Sequence, residues 1–352
     1  MILIKNIYYM LSYAFENLKE KGFNDFSKEE FDNAADLLAS ILEKGISYQV
    51  KKGINKYYVP KEESLPTLRG KIEMQGTVLN RLNQKRELNC QFDEFSIDTY
   101  FNQIIKTTVL RALIPSSQVK SETKKRLKNL MVYFKDVSLV VPNNIDWRLQ
   151  FDRNNRSYRM LLYICHLILD GMIQNPSRGE LKLMDFIDEQ HMNKLYEKFI
   201  LNFYKKERPE LKPDAPFVQW DMEDGVDPLF LPKMHTDITL SYKDNKLIID
   251  AKYYTKNLQT NRFGKESVHQ GNIYQLFAYV KNMAGKALGN VSGLLLYAKT
   301  EDELQVSGGD TLKGGHFIGA STLDLSKDFS AIRARLNQIA DSLTNQSIPS
   351  VV

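Results

Sequence analysis

Apolar residues recur at helical spacing over most of the first half of the chain. Neighbouring apolar positions lie three or four residues apart in segments 31–42, 97–114, 122–134 and 158–173, and this spacing predicts amphipathic helices. Segment 55–73 differs, because short β-like stretches are broken there by Pro60, Pro66 and Gly70. The pattern predicts a helix-rich N-terminal domain with β insertions.

The second half mixes the two periodicities. Helical spacing covers 189–206, 272–282 and 329–343, whereas strand-like segments cover 218–220, 291–298 and 316–323. Two short alternating segments around a tight turn occupy 235–254 and predict a hairpin. This order predicts an α/β fold with a mixed sheet covered by helices. Proline, serine and glycine at 175–179 mark a boundary, so the predicted domains are 1–175 and 176–352.

Composition and charge narrow the class of protein. Of the 352 residues, 43% are apolar and 26% are charged, which is the balance of a folded globular protein. Two cysteines are too few for a disulfide framework or a zinc cluster. The net charge of +5 permits contact with a polyanion but does not establish it. No apolar run reaches the roughly 20 residues that span a bilayer, so we expect a cytoplasmic protein with no membrane partner.

The hairpin gathers three charged residues on one face. If Asp244 and Asn245 form the turn, Lys243 pairs with Lys246, and Asp237, Asp250 and Lys252 share a side of the sheet. In this register the two aspartates are diagonal neighbours, about 7–8 Å apart at the backbone.

Two aspartates at that separation can share a small hard cation. Mg²⁺ prefers one or two carboxylates and keeps several waters, and Mn²⁺ could substitute for it. Lys252 could then orient the attacking water or steady the charge of a phosphate. The same three residues also fit a solvated hairpin face or a cross-strand ion pair between Asp237 and Lys252. The spacing alone leaves both interpretations open.

Neighbouring residues favour the metal site. The segment LIIDAKYY has the apolar start of a central strand, where an exposed Asp-x-Lys is unexpected. Gln275 and Tyr279 lie four residues apart on the helix that follows. The remaining candidates supply the aromatic and cationic groups that nucleic-acid clefts use: Tyr253, Tyr254 and Arg262.

The arrangement Asp237…Asp250-x-Lys252, followed by a helix with Gln275 and Tyr279, resembles the PD-(D/E)xK nuclease superfamily. The resemblance extends beyond this motif. Four further segments, in the same order, are similar to the McrC family of restriction-system nuclease subunits: NIYYMLSYA (6–14), LRGKIE (68–73), FDEFSIDTYFNQIIKTTV (92–109) and LPKMHTDITL (231–240).

The resemblance implies a C-terminal PD-(D/E)xK endonuclease domain and an N-terminal domain that docks into a partner ring. That ring would be McrB-like, a hexameric GTP-hydrolysing AAA+ protein that recognises methylated cytosine. Members of the McrC family stimulate the GTPase of the ring, and the complex of the two proteins cleaves double-stranded DNA. An element within 55–144 is our expectation for the docking part, from its broken β pattern and basic charge.

The resemblance also implies roles for individual residues. Asp237 and Asp250 would be Mg²⁺ ligands, with the backbone carbonyl of Ala251 as a third contact, and Lys252 would be the catalytic lysine. Gln275 and Tyr279 match an accessory pair found in one branch of the superfamily. Glu197 would be an accessory acid, although Asn193, Lys194 and Glu197 fit a solvated helix face equally well.

Two features depart from a simple nuclease pattern. Thr236 stands where the superfamily has its proline, a position without a chemical role. No G-x-x-x-x-G-K-[ST] sequence occurs, so we expect the partner to hydrolyse the nucleotide. An alternative function stays open, in which the chain is a non-catalytic adaptor that activates an AAA+ ring and positions DNA.

Overall fold

The chain divides into two compact units whose bounds differ from the predicted domains. The computed structural model describes residues 3–15, 31, 33–116, 118–153, 155–173, 189–223, 230–253, 258–260, 266–285, 287–299 and 307–345. One unit comprises Asp32–Phe186, and the other combines Met1–Phe31 with Ile187–Val352. The predicted boundary at 175/176 lies outside the described residues.

The unit Asp32–Phe186 combines helices with a small antiparallel sheet. Its helices are α2 (Ala34–Lys52), α3 (Met74–Leu82), α4 (Tyr100–Thr108), α5 (Ser121–Met131) and α6 (Tyr158–Ile173), and its strands are β1 (Tyr57–Leu65), β2 (Lys71–Ile72) and β3 (Leu88–Ser96). The strands are ordered β1-β3-β2. A π-helical turn, Val109–Leu113, extends α4. The core forms where α2 contacts α5 and α6, as the apolar run in α6 predicts.

Part of this unit extends into solvent. β1 is exposed along nearly its whole length, and α3 contains no buried residue. The Glu73 carboxylate caps α3 by accepting hydrogen bonds from the backbone N–H groups of Gln75 and Gly76. The apolar residues of α3 nevertheless point to solvent: Met74, Val78, Leu79 and Leu82. We call residues 57–96 the exposed β1–β3 module.

The other unit is built on a mixed five-stranded sheet. Its helices are α1 (Ile4–Ala14), α7 (Glu189–Glu207), α8 (Gln270–Ala284) and α9 (Phe329–Thr344). Its strands are β4 (Phe217–Val218), β5 (Met234–His235), β6 (Ile238–Tyr242), β7 (Asn245–Lys252), β8 (Leu258–Thr260), β9 (Glu266–Val268), β10 (Val291–Lys299), β11 (Ser307–Thr311) and β12 (Phe317–Asp324). The sheet order is β11-β12-β10-β7-β6, with β10 parallel to both β7 and β12.

The centre of this sheet is buried on both faces. From Leu247 to Ala251 every residue of β7 is buried, which explains its nearly continuous aliphatic sequence. On one face Ile248 and Leu295 pack with Leu276 and Val280 of α8 in one core cluster. The α/β class with a helix-covered mixed sheet is therefore confirmed.

Helix α1 belongs to the sheet unit because of side-chain contacts that span the sequence. It packs against α7, and the ring of Tyr9 stacks on Phe329 of α9 with centroids 4.2 Å apart. The Asn6 side-chain amide donates to the backbone carbonyls of Leu325 and Lys327, each at 2.8 Å. These long-range contacts have no counterpart in local sequence pattern, so the predicted assignment of residues 1–31 to the N-terminal half differs from the structure.

The hairpin turn lies one residue earlier than predicted. Tyr242 pairs with Asn245, so Lys243 and Asp244 form the loop, and Lys243 has the positive φ of 53°. The Asn245 side chain instead accepts a hydrogen bond from the backbone N–H of Asn290 at 2.9 Å. The register therefore shifts by two positions, which leaves every side chain on its predicted face.

The longer predicted elements agree closely with the structure. Helices α6, α7, α8 and α9 and strands β10 and β12 all match their predicted segments within about two residues. Within the part of the chain that the structure describes, no helix combines the length and the apolar content that a bilayer crossing requires.

Candidate active site

Asp237, Asp250 and Lys252 meet at one end of the β6–β7 hairpin. Asp250 and Lys252 lie on β7, and Asp237 directly precedes β6. Ile238 pairs with Ile249, so continuing the register by one pair places Asp237 opposite Asp250. The two aspartates are thus direct neighbours, where side chains are about 5 Å apart at Cβ, and not the diagonal neighbours that the sequence predicted.

The Asp250 carboxylate is buried, and its nearest charged partner is the Lys252 ammonium group. The Asp250 side chain is only 1% exposed. The Lys252 ammonium nitrogen lies 2.9 Å from Asp250 Oδ2 as an ion pair, yet no well-directed hydrogen bond from the described residues reaches either carboxylate oxygen. A solvated hairpin face is therefore wrong for Asp250. Two buried carboxylates beside one ammonium group leave one negative charge uncompensated, which is costly unless a further cation or a proton neutralises it.

Burial and mutual repulsion govern the protonation of the two aspartates. Burial raises the pKa of Asp250, and the charge of Asp237 raises it further, while Lys252 lowers it. Burial likewise raises the pKa of Asp237, with the charge of Glu197 as the next contribution. When one carboxyl group is protonated, it is close enough to donate to the other. Both carboxyl groups therefore ionise less readily than aspartates in solvent.

The oxygen atoms at this position fit Mg²⁺. Asp237 Oδ2 accepts a hydrogen bond from the backbone N–H of Ala251 at 3.0 Å. In an extended strand the N–H and C=O of one residue point to the same edge, so the Ala251 carbonyl faces the edge where Asp237 lies. No three His, Cys, Asp or Glu side chains of the described residues converge closely enough to hold a metal by themselves. Two carboxylates with waters and substrate oxygens suffice for Mg²⁺.

Helix α7 brings Glu197 close to the pair. The charge of Glu197 raises the pKa of Asp237, and burial raises the pKa of Glu197 itself. Asn193, one turn earlier on the helix, donates from its side chain to Glu197 Oε1. The same amide accepts, at Oδ1, a 2.8 Å hydrogen bond from the backbone N–H of Tyr253. The sequence offered Asn193 only a solvated helix face, although its spacing of four residues from Glu197 was a local signal of contact.

Helix α8 brings the predicted accessory pair to the same region. Gln275 Nε2 donates to the Tyr279 hydroxyl at 2.6 Å. Burial raises the pKa of Tyr279, and the charges of Asp250 and Asp237 raise it further. Tyr279 is buried in the same core cluster as Leu276, whereas Gln275 is exposed. Beside the aspartates, the pair thus extends from the core at Tyr279 to the solvent at Gln275.

The three candidate DNA contacts are only partly described. Tyr253 is half-buried and follows Lys252 directly. Tyr254 and Arg262 lie outside the described residues, so their predicted roles stay predictions.

Comparisons with known proteins identify the family. A family model described as "McrBC 5-methylcytosine restriction system component" matches residues 4–298. The chain is 30% identical over 348 residues to the type IV methyl-directed restriction enzyme EcoKMcrBC of Escherichia coli K12, covering 96% of this chain and 97% of that protein.

Two solved assemblies are similar at lower identity. One is a half-complex from a tetradecameric assembly of Thermococcus gammatolerans McrB AAA+ hexamers with bound McrC, with a TM-score of 0.47 and 18% identity over 94% of this chain and 76% of that one. The other is the Thermococcus gammatolerans McrBC complex, with a TM-score of 0.40 and 21% identity over 58% of each chain. The family model and the Escherichia coli relative, which both cover most of the sequence, carry the assignment. The chain belongs to the family of McrBC 5-methylcytosine restriction system components.

Proposed function

We propose that this chain is the Mg²⁺-dependent endonuclease subunit of a McrBC-type restriction system and that it cleaves methylated double-stranded DNA. The observation that carries the proposal is the buried Asp250 carboxylate at the end of a central strand, beside Asp237 and Lys252. No well-directed hydrogen bond from the described residues reaches its oxygens. Burying two carboxylates together destabilises the folded protein, and costly arrangements of this kind are concentrated at functional sites.

The sheet supports a PD-(D/E)xK assignment. The Asp-x-Lys sequence is on β7, which pairs antiparallel with β6 and parallel with β10. Helices α7 and α8, before and after the hairpin, both contact β7. Two elements outside the hairpin thereby add side chains to the site, which is how the accessory acid and the glutamine–tyrosine pair come close to the aspartates.

Each residue has a chemical role in this proposal. Asp237, Asp250 and the Ala251 carbonyl would hold Mg²⁺, which when bound lowers the pKa of a coordinated water and stabilises charge on the phosphate. The Lys252 ammonium group orients the attacking water and offsets negative charge on the scissile phosphate. The Tyr279 hydroxyl, oriented by Gln275, supports the position of these groups from the helix side.

The exposed β1–β3 module supports a docking role for the other unit. Its helix α3 presents an apolar face to solvent although the rest of the unit has a well-packed core. Exposed apolar surface of this kind marks protein interaction sites. We propose that the module docks into a McrB-like hexameric AAA+ ring and stimulates its GTPase. This chain has no P-loop sequence of its own, so the ring would supply nucleotide hydrolysis.

The decisive experiment combines Asp250→Asn with the partner ring, GTP and Mg²⁺. We expect cleavage of methylated DNA to be lost while ring assembly and GTPase stimulation persist. The matched control is Asp244→Asn, an exposed aspartate in the turn of the same hairpin, which should cleave at the normal rate. Normal cleavage by Asp250→Asn would refute the site assignment.

The same experiment tests the adaptor alternative. An adaptor would stimulate the GTPase without cleaving any DNA, in the unmodified chain as well as in the variant. Calorimetric titration with Mn²⁺ separates the two functions, because the nuclease requires metal binding that disappears in Asp250→Asn.

A further inference from the structure

Asn193 joins two parts of the candidate active site through a single side chain. Its Nδ2 donates to Glu197 on the next turn of α7, and its Oδ1 accepts from the backbone N–H of Tyr253 at 2.8 Å. The amide nitrogen therefore contacts an acid near the aspartates, and the amide oxygen contacts the backbone that follows Lys252. A residue on a solvated helix face does not need to form both hydrogen bonds within the protein.

The position of Tyr253 gives this contact its importance. Strand β7 ends at Lys252, so Tyr253 is the first residue beyond the sheet. A backbone N–H at that point needs an acceptor from elsewhere when it is partly buried. The side-chain oxygen Oδ1 of Asn193 provides one and thereby fixes the end of the strand next to the lysine.

The contact with Glu197 has an electrostatic consequence. An N–H donated to a carboxylate favours its ionised form and restricts its rotamer. Glu197 is close enough to Asp237 for its charge to be felt there. Above its raised pKa, a Glu197 held in this rotamer adds a third negative charge to the environment of a bound cation.

We infer that Asn193 is a positioning residue for the nuclease site: it orients Glu197 toward the aspartate pair and anchors the backbone after Lys252. This inference deepens the proposed endonuclease function and rests on it. The class of ligand concerned is a divalent cation held by the aspartate pair, whose affinity Asn193 increases through Glu197. Residues that hold metal-site side chains in place typically change metal affinity by 10–100-fold when they are removed.

A double-mutant cycle on the full chain tests the inference, with Mn²⁺ binding measured by calorimetry. Asn193→Ala should weaken Mn²⁺ binding by about 10-fold. Glu197→Gln keeps the size and hydrogen-bonding oxygen of the side chain but removes the charge, and in that background Asn193→Ala should change Mn²⁺ affinity by less than about twofold. Equal losses in both backgrounds, or no loss in either, would overturn the inference.

Hydrogen exchange tests the second contact without metal. The Tyr253 amide should exchange faster in Asn193→Ala than in the unmodified chain, and at the normal rate in Glu197→Gln. Asn193→Asp keeps an acceptor for Tyr253 and removes the donor to Glu197, so it should retain slow exchange. In variants whose urea midpoint matches that of the unmodified chain, fast exchange in Asn193→Asp or slow exchange in Asn193→Ala contradicts the proposed anchor.

Asn202 offers a matched control on the same helix. Its side chain donates to the backbone carbonyl of Ala14 at 3.3 Å, away from the aspartates. Asn202→Ala should bind Mn²⁺ normally. The outcomes separate the two proposals: Mn²⁺ binding that depends on Asp250 but not on Asn193 refutes only this inference. Failure of the unmodified chain to bind Mn²⁺ refutes the proposed nuclease.

Discussion

The absence of a side chain at Gly293 allows helix α8 to lie close against β10. A Cβ atom added there would be 2.8 Å from both Leu276 Cγ and Val280 Cγ2, and 3.0 Å from Leu276 Cδ1. Leu276 and Val280 are completely buried, so neither side chain has free space to move into. Gly293→Ala therefore forces α8 away from the sheet or forces these side chains out of their rotamers.

The size of the effect follows from these distances. Carbon atoms prefer a separation of about 3.5–4.0 Å, so the added methyl is roughly 0.7 Å or more too close. Overpacking of a well-filled core costs about 1–3 kcal/mol. The same movement displaces Tyr279, which α8 holds near Asp250. Misplacement approaching 1 Å at a catalytic site can reduce the rate about 100-fold, so we expect a loss of cleavage of about 10–100-fold.

Tryptophan fluorescence can follow this unit by itself. The chain has two tryptophans, Trp147 and Trp220, and only Trp220 belongs to the sheet unit, where it packs against the core cluster that contains Leu276. In a Trp147→Phe background, urea unfolding monitored by the remaining tryptophan should show the destabilisation by Gly293→Ala. A separate signal is needed because two compact units need not unfold in one step.

Gly271, on α8 itself, provides the matched control. An added Cβ there meets no atom within 4 Å, so Gly271→Ala adds the same methyl without a clash. Alanine in a helix is favoured over glycine by about 0.5–1 kcal/mol, so this variant should be slightly more stable. Unchanged stability and cleavage in Gly293→Ala would refute the close packing of α8 on β10.

The remaining predictions concern protonation, the accessory pair and the docking surface. Because burial raises the pKa of both site aspartates, Mn²⁺ affinity measured by calorimetry should fall as the pH is lowered through those raised values. Without metal, the free energy of unfolding measured with urea should decrease as the pH rises through the same range. The reason is that ionised aspartates are less stable in the buried site than in the unfolded chain. Tyr279→Phe removes the 2.6 Å hydrogen bond from Gln275 and should reduce cleavage, with a stability loss of about 0.5–1.5 kcal/mol. Tyr274→Phe loses an equivalent 2.6 Å hydrogen bond, from Gln270 on the exposed face of the helix, and should cleave normally. Equal losses of cleavage in the two variants would count against a specific role for Tyr279. Leu79→Glu should abolish stimulation of the partner GTPase without changing stability, because Leu79 is 58% exposed on α3, while Val132→Glu, 67% exposed elsewhere in the unit, should stimulate normally.

Much of the candidate site could be predicted from residue spacing. The two-residue period of a strand predicted the common face of Asp237, Asp250 and Lys252. The turn was predicted one residue too late, but the register shifted by an even number of positions, so the predicted face stayed correct. The helical period placed Gln275 and Tyr279 within contact, and the structure gives them a 2.6 Å hydrogen bond. Local periodicity is sufficient for such relations because it depends only on neighbouring residues in one element.

Other features depend on contacts between distant segments. Sequence alone placed Asp237 and Asp250 as diagonal neighbours, since it could not show that Asn245 would bond to Asn290 instead of entering the turn. It left Asn193 on a solvated face, because only the packing of α7 beside the end of β7 brings its amide to Tyr253.

Residue order alone was enough to predict the long elements, the shared face of the three charged residues and the similarity to the McrC family. Each of these depends on periodicity or on residue order, which the chain carries locally. The packing of distant segments determines that α1 joins the sheet unit and that no well-directed hydrogen bond from the described residues reaches the buried Asp250 carboxylate. It also determines that α7 and α8 bring Glu197 and Tyr279 near the aspartates, because burial and charge proximity exist only after distant segments have packed.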